Sequence, residues 1–175
     1  MTIYLLMSKK YCNFVPNNSY SNTMKKILTL FLALSAFGIA HAVTYVYNGR
    51  STYSSDILFT WDGKHLYQGR STYSSDIILT FDGRNIYAGN STYSSDILAN
   101  FDGEYFFEER STYSSDILAH WDGLRIYKGR SSYSSDVLYT YNRQYVFRGN
   151  STYSSDILLT VEGVLPIAVL ITILL

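Results

Sequence analysis

Ser51-Thr52-Tyr53-Ser54-Ser55-Asp56-Ile57-Leu58 returns almost unchanged from Ser71, Ser91, Ser111, Ser131 and Ser151, always twenty residues further on. Self-similarity at one fixed period is the signature of a repeat architecture, in which each unit buries its apolar face against its neighbours. Within the unit Ser51 to Arg70, Thr52 to Trp61 reads as a strand, Asp62-Gly63 as a turn, Lys64 to Gln68 as a second strand and Gly69-Arg70 as another turn. Each unit is thus a β-hairpin. Asp-Gly suits a two-residue type I′ turn and recurs at Asp82-Gly83, Asp102-Gly103 and Asp122-Gly123. Gly-Arg or Gly-Asn suits a type II′ turn. Two copies deviate, with Glu109-Arg110 in place of Gly-Arg and Asn142-Arg143 in place of Asp-Gly.

A two-residue turn at Asp62-Gly63 would set Trp61 opposite Lys64 and Phe59 opposite Leu66. Alternation along the strand then places Tyr53, Ile57, Phe59, Trp61 and Leu66 on one face, with Leu58, Thr60 and Tyr67 on the other. Both faces carry apolar groups, so the hairpin is expected to be covered on two sides. On this reading most of the aromatic residues, including the Tyr53 series, fill core.

The ends of the repeat region are complementary: Val43 to Arg50 matches the second half of a unit, and Ser151 to Gly163 supplies only a first half. Joined, they make a sixth unit. The predicted fold class is all-β, six hairpin repeats of twenty residues closed into a ring, which leaves no exposed sheet edge. An open β-solenoid is the alternative. It would stack Asp56, Asp76, Asp96, Asp116, Asp136 and Asp156 into a column of like charges, and such pairs are destabilising. Twelve strands enclose more space than wall side chains fill, since about eight already give an interior that side chains only just fill. The apolar run Val164 to Leu175 is placed to occupy it as a short helix. Partial insertion in a bilayer is the competing role; at twelve residues the run is well short of the roughly 20 a helical span needs.

Met24-Lys25-Lys26, the apolar stretch Ile27 to Ile39 and Ala40-His41-Ala42 have the charged start, hydrophobic middle and small-residue cleavage site of a signal peptide at 24–42. Residues 1–23 then read as an upstream start-site extension, 43–163 as the repeat domain and 164–175 as its apolar tail. The expected location is exported: periplasmic, cell-surface or secreted. The whole chain has 14 basic and 14 acidic residues; without Lys9, Lys10, Lys25 and Lys26 the balance is 10 − 14 = −4. A chain of that charge lacks the clustered basic surface that nucleic acid requires. The sole cysteine, Cys12, precedes the cleavage site, so the exported part carries no thiol chemistry.

The segment Ile86-Tyr87-Ala88-Gly89-Asn90-Ser91-Thr92-Tyr93-Ser94-Ser95-Asp96-Ile97-Leu98, followed by Phe101-Asp102-Gly103, resembles a group of bacterial exported proteins built from such tandem units. It is also distantly similar to four-fold β-flower domains, small rings of short hairpins that end in Asp-Gly turns. These resemblances cover about residues 43 to 163 and imply a fold, with no activity attached. A looser likeness is to choline- and glucan-binding cell-wall repeats, whose tryptophan-rich cage is missing here.

No phosphate loop, nucleophile elbow or metal-ligand pair is present, and His65 and His120 occupy different positions in their repeats. The expectation is therefore no enzyme, no cofactor and no metal. Ser54-Ser55-Asp56 and its copies suit a structural role, short polar side chains bonding nearby backbone. The binding alternative takes Tyr53, Tyr73, Tyr93, Tyr113, Tyr133 and Tyr153 as stacking platforms and Asp56, Asp76, Asp96, Asp116, Asp136 and Asp156 as hydroxyl acceptors for sugars. The expected partners are a cell-envelope polysaccharide or protein, with membrane contact through Val164–Leu175 as a further possibility.

Overall fold

A computed structural model describes residues 42–175. The extension at 1–23 and all of the 24–42 leader but Ala42 lie outside the described residues. Twelve strands follow in order: β1 (Thr44–Asn48), β2 (Ile57–Trp61), β3 (His65–Gln68), β4 (Ile77–Phe81), β5 (Asn85–Ala88), β6 (Ile97–Phe101), β7 (Tyr105–Glu108), β8 (Ile117–Trp121), β9 (Arg125–Lys128), β10 (Val137–Tyr141), β11 (Tyr145–Arg148) and β12 (Ile157–Glu162). They close into one antiparallel barrel in sequence order, sealed where β1 pairs β12. The ring of six hairpins is thus formed, and no open solenoid.

The seam reproduces an ordinary repeat from two distant segments. Thr160 Oγ1 donates to Gly49 O at 2.6 Å, as Thr60 Oγ1 does to Gly69 O at 2.6 Å. The Tyr47 hydroxyl donates to Glu162 at 2.6 Å, matching Tyr67 to Asp62 at 2.8 Å. Gly163 has φ +117°, and a Cβ there would collide with Thr44 Oγ1. That oxygen is fixed, donating to Val164 O at 3.0 Å and accepting from Val164 N at 2.9 Å.

Several local details differ from the sequence reading. The Asp-Gly hairpin pairs Trp61 with Leu66 and Thr60 with Tyr67, so the two strands are joined by Asp62 to Lys64, closed by Asp62 N donating to His65 O at 3.2 Å. The cause is the aspartate side chain, whose Oδ1 accepts the N–H of Lys64 at 2.8 Å and of His65 at 2.6 Å and shifts the register by two residues. A two-residue shift by itself preserves the alternation, and Phe59, Trp61 and Leu66 share the inner face as expected, whereas Ile57, expected on that face too, stands opposite outer-face Tyr47. The first strand is also shorter than Thr52 to Trp61, because Ser54–Asp56 forms a single 3-10 turn before Ile57. A bulge at Leu58 and its copies, between paired residues such as Tyr47↔Ile57 and Val46↔Phe59, brings further irregularity.

Gly69-Arg70 likewise opens a longer connection, residues 69–76, in place of closing a two-residue hairpin. This connection folds back over the outer wall: Thr60 reaches Gly69 O, and Asn100 Nδ2 reaches Glu109 O and Ser111 O at 3.0 and 2.8 Å. The outer-face Thr60 is buried where it bonds this connection, and Tyr67, bonded to Asp62, is buried on the same face. Phe59, Trp61 and Leu66 point inward, where they meet α1 (Ile167–Leu174). Ala168, Val169, Leu170 and Ile171 have at most 1 % of their surface exposed. The helix runs closest to β6, and Tyr139 Oη donates to Leu174 O at 3.0 Å. Folded this way, the tail considered for bilayer contact faces the barrel wall. No helix among the described residues is long and apolar enough to cross a membrane.

Candidate functional site

The repeated segment builds the same outer loop six times. In the first, the Ser51 hydroxyl donates to the Asp56 carboxylate, Ser55 Oγ donates to the other carboxylate oxygen at 3.1 Å, and Tyr53 N donates to Ser51 Oγ at 3.1 Å. Asp56 N closes the turn on Tyr53 O at 2.9 Å. The Ser-to-Asp bond recurs in all six units, for instance Ser131 to Asp136 at 2.5 Å. At Asp96 and Asp116 the bonds from Ser91 and Ser95, and from Ser111 and Ser115, lower the carboxyl pKa. Asp56, Asp76, Asp96, Asp116, Asp136 and Asp156 are therefore loop fasteners first, each bonded within its own repeat.

The tyrosines at the centre of these loops correct the core expectation. Tyr53, Tyr73, Tyr93, Tyr113, Tyr133 and Tyr153 are 74–76 % exposed. Strand alternation misplaced them because the 3-10 turn at Ser54–Asp56 interrupts the period of two before Ile57. Each has its backbone N–H and C=O tied down while its ring projects into solvent, so a flat aromatic group is presented at little ordering cost. Arg50, Arg70, Arg110 and Arg130, with Asn90 and Asn150, are exposed in the same connections. One repeat contributes two strands, so neighbouring tyrosines are attached roughly 10 Å apart around the wall.

A second repeated grouping lies on the outer face beside the Asp-Gly loops and escaped the sequence reading. Tyr67, Tyr87 and Tyr127 donate to Asp62, Asp82 and Asp122 at 2.8, 2.7 and 2.8 Å. Burial pushes the Asp62 carboxyl up, but the N–H groups of His65 and Lys64 and the Tyr67 hydroxyl outweigh it and hold it at about 2. Asp82 is held at about 2 in the same way. Burial and the Asp62 bond push the Tyr67 phenol up to about 12. The five-residue spacing from Asp to Tyr was the available signal. Where Phe107 and Phe147 replace the tyrosine, the hydroxyl is missing, and the second of these units carries Asn142, which keeps only the acceptor that fastens the loop to Gln144 N and Tyr145 N.

His65 contacts Asp62 at 3.1 Å. His120 stacks between Tyr105 and Tyr127, with ring centroids 5.0 and 5.4 Å away. Its Nδ1 lies 2.9 Å from Ser131 O and its Nε2 3.5 Å from Glu104. Both histidines thus have structural partners in this arrangement. Among the described residues no three His, Cys, Asp or Glu side chains gather as metal ligands would.

Neither the curated proteins nor the solved structures contain a significant match to the chain. The family of the 6-fold beta flower protein does match, over residues 46–170, a span that runs from β1 through all the hairpins into α1. Six units, in place of the four of the rings that the sequence resembled, agree with the observed barrel. With 125 of its 175 residues matched, the chain belongs to the 6-fold beta flower family.

Proposed function

We propose that this protein is an exported, non-enzymatic binding module, and that its six outer loops hold a repetitive polymer of the cell envelope, in the first instance a polysaccharide. The observation that carries this reading is the exposure of Tyr53 and its five copies, 74–76 % in every repeat. Tyrosine offers a face for a sugar ring and a hydroxyl for its polar edge, and Arg50, Arg70, Arg110 and Arg130 supply donors beside it. Each site is shallow and weak. Repetition turns weak sites into useful avidity for a polymer that meets several of them.

The test is retention of the full chain on insoluble cell-wall polysaccharides and on a glycan array. Replacing Tyr53, Tyr73 and Tyr93 by Ala one after another should weaken retention stepwise. No retention on any polysaccharide would remove the glycan ligand and leave a protein partner for the same loops. Export rests on the leader pattern at 24–42, and N-terminal sequencing of the protein recovered outside the cytoplasm should find Val43 first.

A further inference from the structure

Six inward positions next to the Asp-Gly loops are related by the repeat: Trp61, Phe81, Phe101, Trp121, Tyr141 and Val161. Their burial is unequal. Trp61, Tyr141 and Val161 are 3, 6 and 2 % exposed, whereas Phe81, Phe101 and Trp121 are only partly buried. The plug explains the division. α1 arrives from β12 through Val164-Leu165-Pro166, and the well-covered positions are the one on that strand, Val161, and the two that lie two strands away on either side, Trp61 on β2 and Tyr141 on β10. The opposite wall, formed by β4, β6 and β8, is left partly uncovered at this end. A cleft of about 630 Å³ opens there between Phe81 and Phe101 on the wall and Ile167 and Ala168 on the helix. The cleft is open to solvent on one side, with a mainly apolar lining and few polar groups.

The polar groups at this cleft are Arg84 and Asp102. Asp102 is engaged, its Oδ1 accepting the N–H of Glu104 at 2.9 Å and of Tyr105 at 2.7 Å. Arg84 takes part in none of the three ion pairs among the described residues. The geometry points to a binding site for a small amphiphile with one anionic head, of the chemical class of a medium-chain fatty acid. Its chain lies on Phe81, Phe101 and Ile167, and its carboxylate pairs with the Arg84 guanidinium. Asp102, the other charged group lining the cleft, opposes a second negative charge, which selects against polyanions. This site is separate from the outer tyrosine loops and does not depend on what they bind.

Calorimetric titration of the full chain with decanoate, decanol and decylammonium, each below its micelle-forming concentration, tests the assignment. Decanoate should bind one to one, decanol about tenfold more weakly and decylammonium more weakly still. Arg84→Gln, at an exposed position, should reduce decanoate to the level of decanol and leave decanol unchanged. Ile167→Trp, which fills the cleft from the partly exposed side of the helix, should remove both, with thermal unfolding as the check that the barrel is intact. Failure of all three probes to bind, equal binding of all three, or decanoate binding that Arg84→Gln leaves unchanged would overturn the proposal.

Discussion

The outside and the inside of this barrel treat the same repeat in opposite ways. Outside, six copies of one segment form six equivalent loops, and their tyrosines differ in exposure by no more than 74 against 76 %. Inside, six related positions meet a single helix that has no six-fold symmetry, and related residues end up with different surroundings. A local hydrogen-bond network is copied wherever its sequence is copied, whereas packing around one plug cannot be. The substitutions inside follow this rule. The position of Phe59 is Leu79, Ala99, Ala119, Tyr139 and Leu159 in the other units, and the smallest residues, Ala99 and Ala119, lie on β6, where the helix runs closest, and on β8 beside the same hairpin.

The largest effect should come from removing the plug. Ending the chain after Gly163 withdraws Leu165, Val169, Leu170 and Ile171, all at most 6 % exposed. At about 1.5–3 kcal/mol for each buried aliphatic side chain, the loss is on the order of 10 kcal/mol, comparable to the whole stability of a domain. The truncated chain should show no cooperative thermal transition. A graded version compares Leu170→Ala, expected to cost about 2–5 kcal/mol, with Leu118→Ala on the bulged outer wall, 39 % exposed and expected to cost well under half as much. Equal losses in denaturant titrations would mean that the helix does not fill the core.

How much of this was legible beforehand follows from the same contrast. The twenty-residue period, the half-units at Val43–Arg50 and Ser151–Gly163 and the apolar Val164–Leu175 were enough to infer a closed barrel with a helix, because closure and filling are global requirements. The register of Asp62–His65 was not legible, since the side chain of Asp62 as well as the backbone turn sets the loop length. The exposure of Tyr53 was hidden too. A three-residue 3-10 turn resets the phase of alternation, and Ser-Ser-Asp reads equally well as an irregular strand. The uneven burial of Phe81 and Trp61 depends on where the helix enters, which a repeated sequence does not encode in any single repeat.

The seam offers a sharper test of copied against uncopied surroundings. Gly83 and Gly163 hold the same place in their loops and have similar φ values, +102° and +117°. A Cβ on Gly83 meets nothing within 4 Å, whereas one on Gly163 would collide with Thr44 Oγ1. Gly83→Ala should therefore cost only backbone strain, about 1–3 kcal/mol. Gly163→Ala should cost more, and its excess should shrink when Thr44 is also replaced by Ala. An excess independent of Thr44 would contradict the seam geometry.

The Asp-Tyr pairs on the outer face predict a smaller, pH-dependent effect. Asp62 and Asp82 have folded pKa values of about 2, below the ordinary 3.8, so the unfolded chain binds protons first as the solution is acidified. Their stabilisation is present above about pH 4 and should be lost progressively as the pH falls towards 2. Replacing Tyr67 and Tyr87 by Phe should flatten that acid slope in urea titrations. At the alkaline end the sign reverses: the Tyr67 phenol, raised to about 12, favours the fold while neutral, and this contribution fades as the pH rises from 10 through 12. Unchanged slopes in the double Phe variant would show that the loop N–H groups alone hold the carboxylates down.

The smallest effect on stability should come from the most repeated residue. Tyr53 and its copies expose about three quarters of their surface, and their loops are fastened by backbone and by Ser51-type and Asp56-type side chains, not by the phenol rings. Changing Tyr53, Tyr73 and Tyr93 to Ala should move the unfolding free energy by less than about 0.5 kcal/mol per site, while polymer retention falls with each change. Ser51→Ala is the opposite case, since it removes a donor to Asp56 and an acceptor for Tyr53 N in one step. It should loosen the loop, raise hydrogen exchange at the Tyr53 amide and weaken retention although the ring is still present. If the Ser51 variant binds as well as the wild type while the tyrosine variants do not, the rings alone carry binding and the fastening network serves only the fold. If both lose binding, the six-fold conservation of Ser, Tyr and Asp within this chain is explained together, as rings and the frames that aim them.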